Sequence, residues 1–258
     1  MQRRPTRILL AGATGYIGRA VAAELLDRGY DVLAVTRSAI EIPGVEVRVA
    51  AVTDAAALAE ALGGMRFDAV VSCIASRSGV PEDAWRVDCD ANRNLLELAI
   101  RSGAQHFVLL SAICVQKPRL AFQHAKLAFE DELRRADIVH SIVRPTAFFK
   151  SLSGQVERVR AGKPFLTFGD GTLTACKPIG EADLARFLVS CLDDPSARNA
   201  TLPIGGPGEA ITPRQQGELL FELTGMPVKF RSVPPGMFLV VNTALTPLGW
   251  VWPAARRQ

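Results

Sequence analysis

The apolar run Ile8-Leu9-Leu10-Ala11 passes directly into Gly12-Ala13-Thr14-Gly15-Tyr16-Ile17-Gly18. After that loop, Ile17, Val21, Ala22, Leu25 and Leu26 recur at helical spacing, and Gly29 supplies a stop. A buried strand, a turn with glycine at every third position and an amphipathic helix therefore follow one another without a linker. Glycine is needed where backbone must pass close to backbone or to a ligand, so this turn presses the helix N-terminus against the strand end. A chain that begins this way must bring a second strand back parallel to the first.

The rest of the first 150 residues repeats the alternation. Val32-Leu33-Ala34-Val35 reads as a second strand and Val45–Val52 as a third. An alanine-rich helix follows over residues 54–62, with Asp54 placed to cap it, then a fourth strand over Asp68–Ile74. A long helix is expected over 83–102, ended by Gly103, then a fifth strand over Phe107–Ala112, a helix over 122–136 and a sixth strand over Val139–Val143, stopped at Pro145. Strands that are apolar throughout must be covered on both faces. The expected fold is thus α/β, a doubly wound parallel sheet of Rossmann type with a small C-terminal lobe.

The pattern loosens beyond Pro145. Helices are expected over 152–161, 180–193 and 213–224, and strands over Phe165–Phe168 and Thr201–Ile204. The expected division is a nucleotide-binding domain over 1–150 and a substrate lobe over 151–258, the latter shortened at its C-terminus. Residues 237–252 carry two tryptophans among many aliphatic side chains, an apolar surface that needs a cover: a partner protein, a membrane surface or further chain.

The formal charge of +4 is mild and the basic residues are scattered, which argues against nucleic acid as a partner. Five cysteines, an odd number with no C-x-x-C spacing, read as buried thiols of a reducing compartment, not as a disulfide framework. With only three histidines, no metal site is expected. No secretory signal and no apolar stretch of spanning length is seen, so the expected location is the cytoplasm of a bacterium.

The loop's chemistry points to a pyrophosphate. Backbone amides at a helix N-terminus face a bound anion, and the glycines at 12, 15 and 18 let it approach, with Thr14, Tyr16 and Ile17 between them. The second strand ends in Thr36-Arg37-Ser38. A carboxylate there would bind the ribose 2′-hydroxyl of NAD, and Arg37 instead offers a guanidinium to the 2′-phosphate of NADP. Asp54 either faces the adenine or caps the helix it precedes.

The glycine spacing and strand order of residues 5–150 resemble the short-chain dehydrogenase/reductase superfamily, whose members carry Tyr-x-x-x-Lys on the helix after the fifth strand. The matching stretch is Phe122-Gln123-His124-Ala125-Lys126, with the lysine kept and the tyrosine replaced. The chain's two tyrosines, Tyr16 and Tyr30, both belong to the nucleotide region. Without that phenol the chemistry shifts from carbonyl reduction toward a conjugated carbon–carbon double bond, where a π-system takes up the charge and water or a weak acid supplies the proton.

Later segments narrow this. They are Leu110-Ser111-Ala112-Ile113-Cys114-Val115-Gln116-Lys117-Pro118, Arg144-Pro145-Thr146-Ala147-Phe148-Phe149-Lys150, Gly162-Lys163-Pro164-Phe165 and Thr174-Ala175-Cys176-Lys177-Pro178. Together they resemble the divinyl chlorophyllide (protochlorophyllide) 8-vinyl reductases of chlorophyll and bacteriochlorophyll biosynthesis, over about residues 5–230. The resemblance implies NADPH-dependent reduction of a tetrapyrrole's 8-vinyl group to ethyl in a photosynthetic bacterium, with peripheral membrane contact through the apolar C-terminus. It assigns Lys126 to the nicotinamide ribose, Ser111 to cofactor or substrate, Phe148 and Phe149 to stacking on nicotinamide or macrocycle, and His124 to the substrate's magnesium or to proton donation. Lys117, Lys150 and Lys177 are offered to its propionate, while His106 and His140 read as structural. Two other readings stand beside it: a non-enzymatic NADP(H)-binding sensor or assembly factor on the same fold, and a reductase of another conjugated double bond in a smaller phenolic or enone.

Overall fold

The computed structural model describes residues 6–234 and Gly236. The chain forms two compact units, one of Met1–Pro145 with Glu181–Ile204, the other of Thr146–Gly180 with the residues from Gly205 on.

The first unit is built on β1 (Arg7–Ala11), α1 (Tyr16–Asp27), β2 (Asp31–Thr36), β3 (Glu46–Val49), α2 (Ala55–Leu62) and β4 (Ala69–Ser72). It continues through α3 (Pro81–Ala84), a π-helical turn (Trp85–Asp90), α4 (Ala91–Ser102), β5 (His106–Leu110), α5 (Ala121–Arg135) and β6 (Val139–Pro145). In the second unit lie α6 (Phe149–Leu152), α7 (Val156–Arg160) and β7 (Phe165–Phe168). The chain then re-enters the first unit as α8 (Glu181–Ser190) and β8 (Ala200–Ile204), and α9 (Pro213–Thr224) and β9 (Phe230–Val233) complete the second.

Seven parallel strands form the sheet of the first unit in the order β3-β2-β1-β4-β5-β6-β8. The doubly wound parallel sheet expected from the apolar strands is what the chain forms. The order reverses between β1 and β4, and that switch point at the strands' carboxyl ends is where such sheets bind ligands. Residues of β1, β4 and β5 are buried almost without exception, as strands covered on both faces must be. One core layer, with Leu33, Leu58, Leu62, Leu95, Phe107, Phe129 and Leu133, lies under α2, α4 and α5. On the other face α1 packs along α8. Both tyrosines serve that pair: Tyr16 donates to Glu181 at 2.5 Å and Tyr30 donates to Asp193 at 2.8 Å.

Three details differ from the sequence expectation. The seventh strand, β8, comes from residues assigned to the lobe, because the chain leaves the sheet at Pro145 and returns at Glu181. The helix expected over 83–102 starts at Pro81, whose fixed φ suits a first turn, and carries the π-turn within it. The expected helix over 152–161 is two short pieces, α6 and α7, joined by a tighter turn at Ser153–Gln155.

The second unit pairs β7 and β9 in parallel and packs Val159, Phe165 and Phe221 together, with Phe230 edge-on to Phe165 and Phe221. A side chain at Gly217 on α9 would collide with the Phe230 ring, which fixes glycine there. Among the described residues no helix is long and apolar enough to cross a membrane. The apolar run 237–252 lies outside the described residues.

Candidate functional site

The glycine loop closes as its spacing requires. Gly15 N–H donates to Gly12 C=O at 2.9 Å. Gly12 has φ +86°, and a Cβ on it would come within 2.7 Å of the Cys73 carbonyl carbon and oxygen. A Cβ on Gly18 would lie 2.0 Å from the Gly12 carbonyl oxygen. Loop, β4 end and first helical turn are therefore in backbone contact, and only glycine fits at either position. Helix α1 has Gly15 as its N-cap, with no side-chain cap and no acidic residue in its first turn. Its first amides and positive dipole end are left for a ligand, and an anion satisfies both.

A cavity of about 300 Å³ opens beside this loop. Gly12, Thr14 and Gly15 form one wall, Val35, Thr36 and Arg37 at the end of β2 the next, and Val52, Thr53, Ser76, Arg77 and Arg86 belong to the remainder. Thr36 Oγ1 donates across Arg37 to the Ser38 carbonyl at 2.9 Å, which holds the turn presenting the guanidinium. Asp54 is spent on its helix: its Oδ1 accepts from Ala56 N–H and Ala57 N–H, each at 3.0 Å, and the cavity wall there is Val52 and Thr53. Ile17 is buried in the core, so the loop meets a ligand through its backbone at that position.

Arg77 was not foreseen. Its Nη2 lies 3.8 Å from where a Cβ on Gly15 would stand, so the guanidinium hangs over the glycine loop. Together with Arg37 it gives the cavity two guanidinium groups, whereas Arg86 is paired with Asp83 at 2.8 Å. A dinucleotide carrying a pyrophosphate fits this donor set.

At the ends of β4 and β5 the polar groups are already engaged. Lys126 on α5 is buried, and its Nζ lies 2.9 Å from Oδ1 of Asp88, also buried, in the π-turn. Burial pushes the Cys73 thiol up to about 12, with the nearby Lys126 charge working the other way. Ser111 donates its hydroxyl proton to the fully buried Glu130 at 2.5 Å. Glu130 also accepts from Arg144 and Arg134. With its proton committed, Ser111 presents only lone pairs to a ligand. Phe122 is half-buried one turn before Lys126, and His124 is exposed on the same helix. The two tyrosines bond carboxylates beside α8, and a phenol is missing from α5. In the second unit Phe148 is half-buried and bridges Ile179, Phe149 is exposed, and Lys150 and Lys177 are exposed, as is Lys117 in the first unit.

All five cysteines are free, and Cys89 and Cys191 are buried as expected. Cys114 is exposed, because it sits on the turn after β5 instead of in the strand. A larger depression of about 630 Å³ lies at the amino ends of β5, β6 and β8, lined by Gln105, His140 and Asn199. It has no glycine loop and no open helix N-terminus, and it lies at the end of the sheet opposite the switch point.

Strand–glycine loop–helix at a parallel sheet's switch point, with one guanidinium over the loop and another at the end of β2, defines a dinucleotide-binding protein. The profile of the family described as NAD(P)H-binding matches residues 12–195, and the chain belongs to that family, in the group that includes the divinyl chlorophyllide a 8-vinyl-reductases. It is 50% identical to the reductase of that name from Zea mays over 96% of this chain and 67% of the relative. To the one from Arabidopsis thaliana it is 46% identical over 96% of this chain and 64% of the relative. The chain thus spans about two thirds of the length of these relatives. Both are named as chloroplastic proteins, which overturns the expected bacterial cytoplasm. Among solved structures, the UDP-glucose 4-epimerase of Thermotoga maritima superposes with a TM-score of 0.79 at 20% identity, covering 89% of this chain and 86% of that one, a likeness of fold.

Proposed function

We propose that the chain carries out NADPH-dependent reduction of the 8-vinyl group of a divinyl chlorophyllide-type tetrapyrrole to ethyl, as part of a chloroplast-type pigment pathway. The observation that carries this reading is the pairing of an intact dinucleotide cradle and lysine with Phe122 where a carbonyl reductase needs its phenol. The names of the relatives at 46–50% identity support the same substrate.

When bound, NADPH supplies the hydride. The amides of Tyr16 and Ile17 at the α1 N-terminus would hold the pyrophosphate, while Gly15 N–H closes the loop on Gly12. Arg37 takes the 2′-phosphate, since a guanidinium matches phosphate oxygens in a way a neutral strand end does not. The buried Lys126 holds the nicotinamide ribose through the donors that Asp88 leaves free. Ser111, its proton given to Glu130, accepts a hydrogen bond from cofactor or substrate. No side chain on α5 need donate a proton to the reacting carbon, because charge delivered to a macrocycle is delocalised until solvent protonates it. Phe148, Phe149 and His124 are the residues this reading assigns to the macrocycle, and the second unit is the substrate lobe.

The test is direct. Purified chain, NADPH and divinyl chlorophyllide are mixed, and the blue absorption band is followed. A shift to shorter wavelength that requires NADPH is the expected result. No shift, with NADPH binding retained by fluorescence, would replace this reading with that of a dinucleotide-binding sensor or assembly factor.

A further inference from the structure

The π-turn over Trp85–Asp90 interrupts an otherwise helical segment. Between α3 and α4 residues 85–90 widen to a π-turn, a feature frequent at functional sites. What the widening achieves is the inward placement of Asp88, whose side chain is 1% exposed. Two neighbours hold the turn in that form. The Asn92 side-chain amide donates to the Asp88 carbonyl at 3.0 Å, and Ser72 at the end of β4 donates to Asn92 Oδ1 at 2.6 Å. The carboxylate itself is shared. Oδ2 accepts from Ser76 Oγ at 2.5 Å, and Oδ1 faces Lys126 Nζ at 2.9 Å. The latter contact is off the line of a directed hydrogen bond, so Oδ1 is satisfied by charge. Among the described residues no other side chain takes a proton from Lys126.

A buried carboxylate and a buried ammonium both cost desolvation, and apolar side chains of equal volume would pack here as well or better. The pair makes sense if the ammonium has work to do. We propose that Asp88 is a positioning residue for the dinucleotide site: it keeps Lys126 aimed, and it ties Lys126 to the loop of Ser76 and Arg77 that borders the phosphate cavity. One carboxylate thereby sets the spacing between the lysine and the phosphate-binding wall. This rests on the reading above in one respect, that Lys126 meets the nicotinamide ribose.

The test uses two ligands and no turnover. Adenosine 2′,5′-bisphosphate carries the adenosine and 2′-phosphate of NADPH and lacks the nicotinamide riboside. Asp88→Asn keeps an acceptor for Ser76 and removes the charge facing Lys126. It should weaken NADPH roughly tenfold or more, the size expected for loss of one charged hydrogen-bonding contact, while leaving the bisphosphate within about twofold. Lys126→Met should give the same selective loss, and Asp88→Asn should add little in that background, because no buried ammonium is then left unpaired. The double variant, neutral at both positions, also serves if the single one folds poorly. Equal loss on both ligands, or additive losses in the double variant, would mean that Asp88 is a packing residue and overturn the proposal. If Lys126→Met leaves NADPH binding unchanged, the assignment of the lysine fails first and the role of Asp88 falls with it. If Lys126→Met weakens NADPH and Asp88→Asn does not, only the role of Asp88 fails.

Discussion

On the proposed reading, Arg37 and Arg77 would divide the ligand's phosphate charge by position. Arg37 stands at the end of β2, where the ribose of the adenosine half is read. Arg77 overhangs Gly15, where a pyrophosphate would meet the α1 N-terminus. Arg37→Ala should therefore weaken NADPH by roughly tenfold or more and leave NADH nearly unchanged, since only the former has a 2′-phosphate. Arg77→Ala should weaken both by similar factors. Titration of nicotinamide fluorescence with each variant separates the cases, and an equal loss on NADPH and NADH in Arg37→Ala would remove the 2′-phosphate assignment. The sequence exposed Arg37 and hid Arg77 for a physical reason. Arg37 follows a strand whose end has a fixed place in such sheets. Arg77 reaches the loop from a turn more than sixty positions away in the chain, and neither periodicity nor local spacing encodes that approach. Asp54 was ambiguous for the opposite reason: an acidic residue before a helix is a cap by local chemistry alone, and both cap bonds form.

Helix α1 shows how tightly an element can be bound to its site. Its N-terminus is pinned from below by Gly12 and Gly18, and Tyr16 in its first turn donates to Glu181 at the start of α8. That hydrogen bond raises the Tyr16 phenol above its ordinary range and lowers the Glu181 carboxyl, so the pair stays as phenol and carboxylate at neutral pH. Gly18→Ala puts a methyl into the Gly12 carbonyl oxygen, and backbone cannot swing aside as a side chain would. The change should destabilise the chain by about 1–3 kcal/mol and remove most dinucleotide affinity, because the first turn must lift off the loop. Melting temperature and NADPH affinity measured together check it; unchanged affinity would mean that the loop does not carry the pyrophosphate. This element was legible from residues 8–29 because strand, glycines and amphipathic helix all point the same way. The π-turn was not. Its apolar spacing still averages to a helix, and the inserted residue shows only through the partners it gains, Ser76, Asn92 and Lys126.

Across the whole molecule the parallel order of six strands follows from apolar runs alternating with helices, while the seventh strand required knowing where the excursion that begins at Thr146 would end. Short-range pattern cannot say that Glu181 resumes packing beside α1, since what decides it is the shape of a sheet edge left open at β6. That closing edge also creates a titrating group. His106, first residue of β5, lies next to β6 with its Nε2 2.8 Å from Ser141 Oγ. Ser141 gives its own proton to the Ala197 carbonyl at 2.7 Å, so His106 must donate through Nε2. Burial lowers the imidazole from 6.5 to about 4, and the charges of Arg198 and His140 push the same way. The folded value lies below that of the unfolded chain. Between about pH 6.5 and 4 the unfolded state therefore holds a proton that the folded state does not. Stability is complete above that window and falls as the pH drops through it, by up to about 3 kcal/mol. His106→Gln keeps a donor for Ser141 without a titrating ring. Urea unfolding of both chains from pH 7.5 down to 4 should show a flatter acid limb in the variant. Parallel acid limbs would mean that the loss of stability comes from other groups, and that the β5–β6–β8 edge tolerates a charged imidazole.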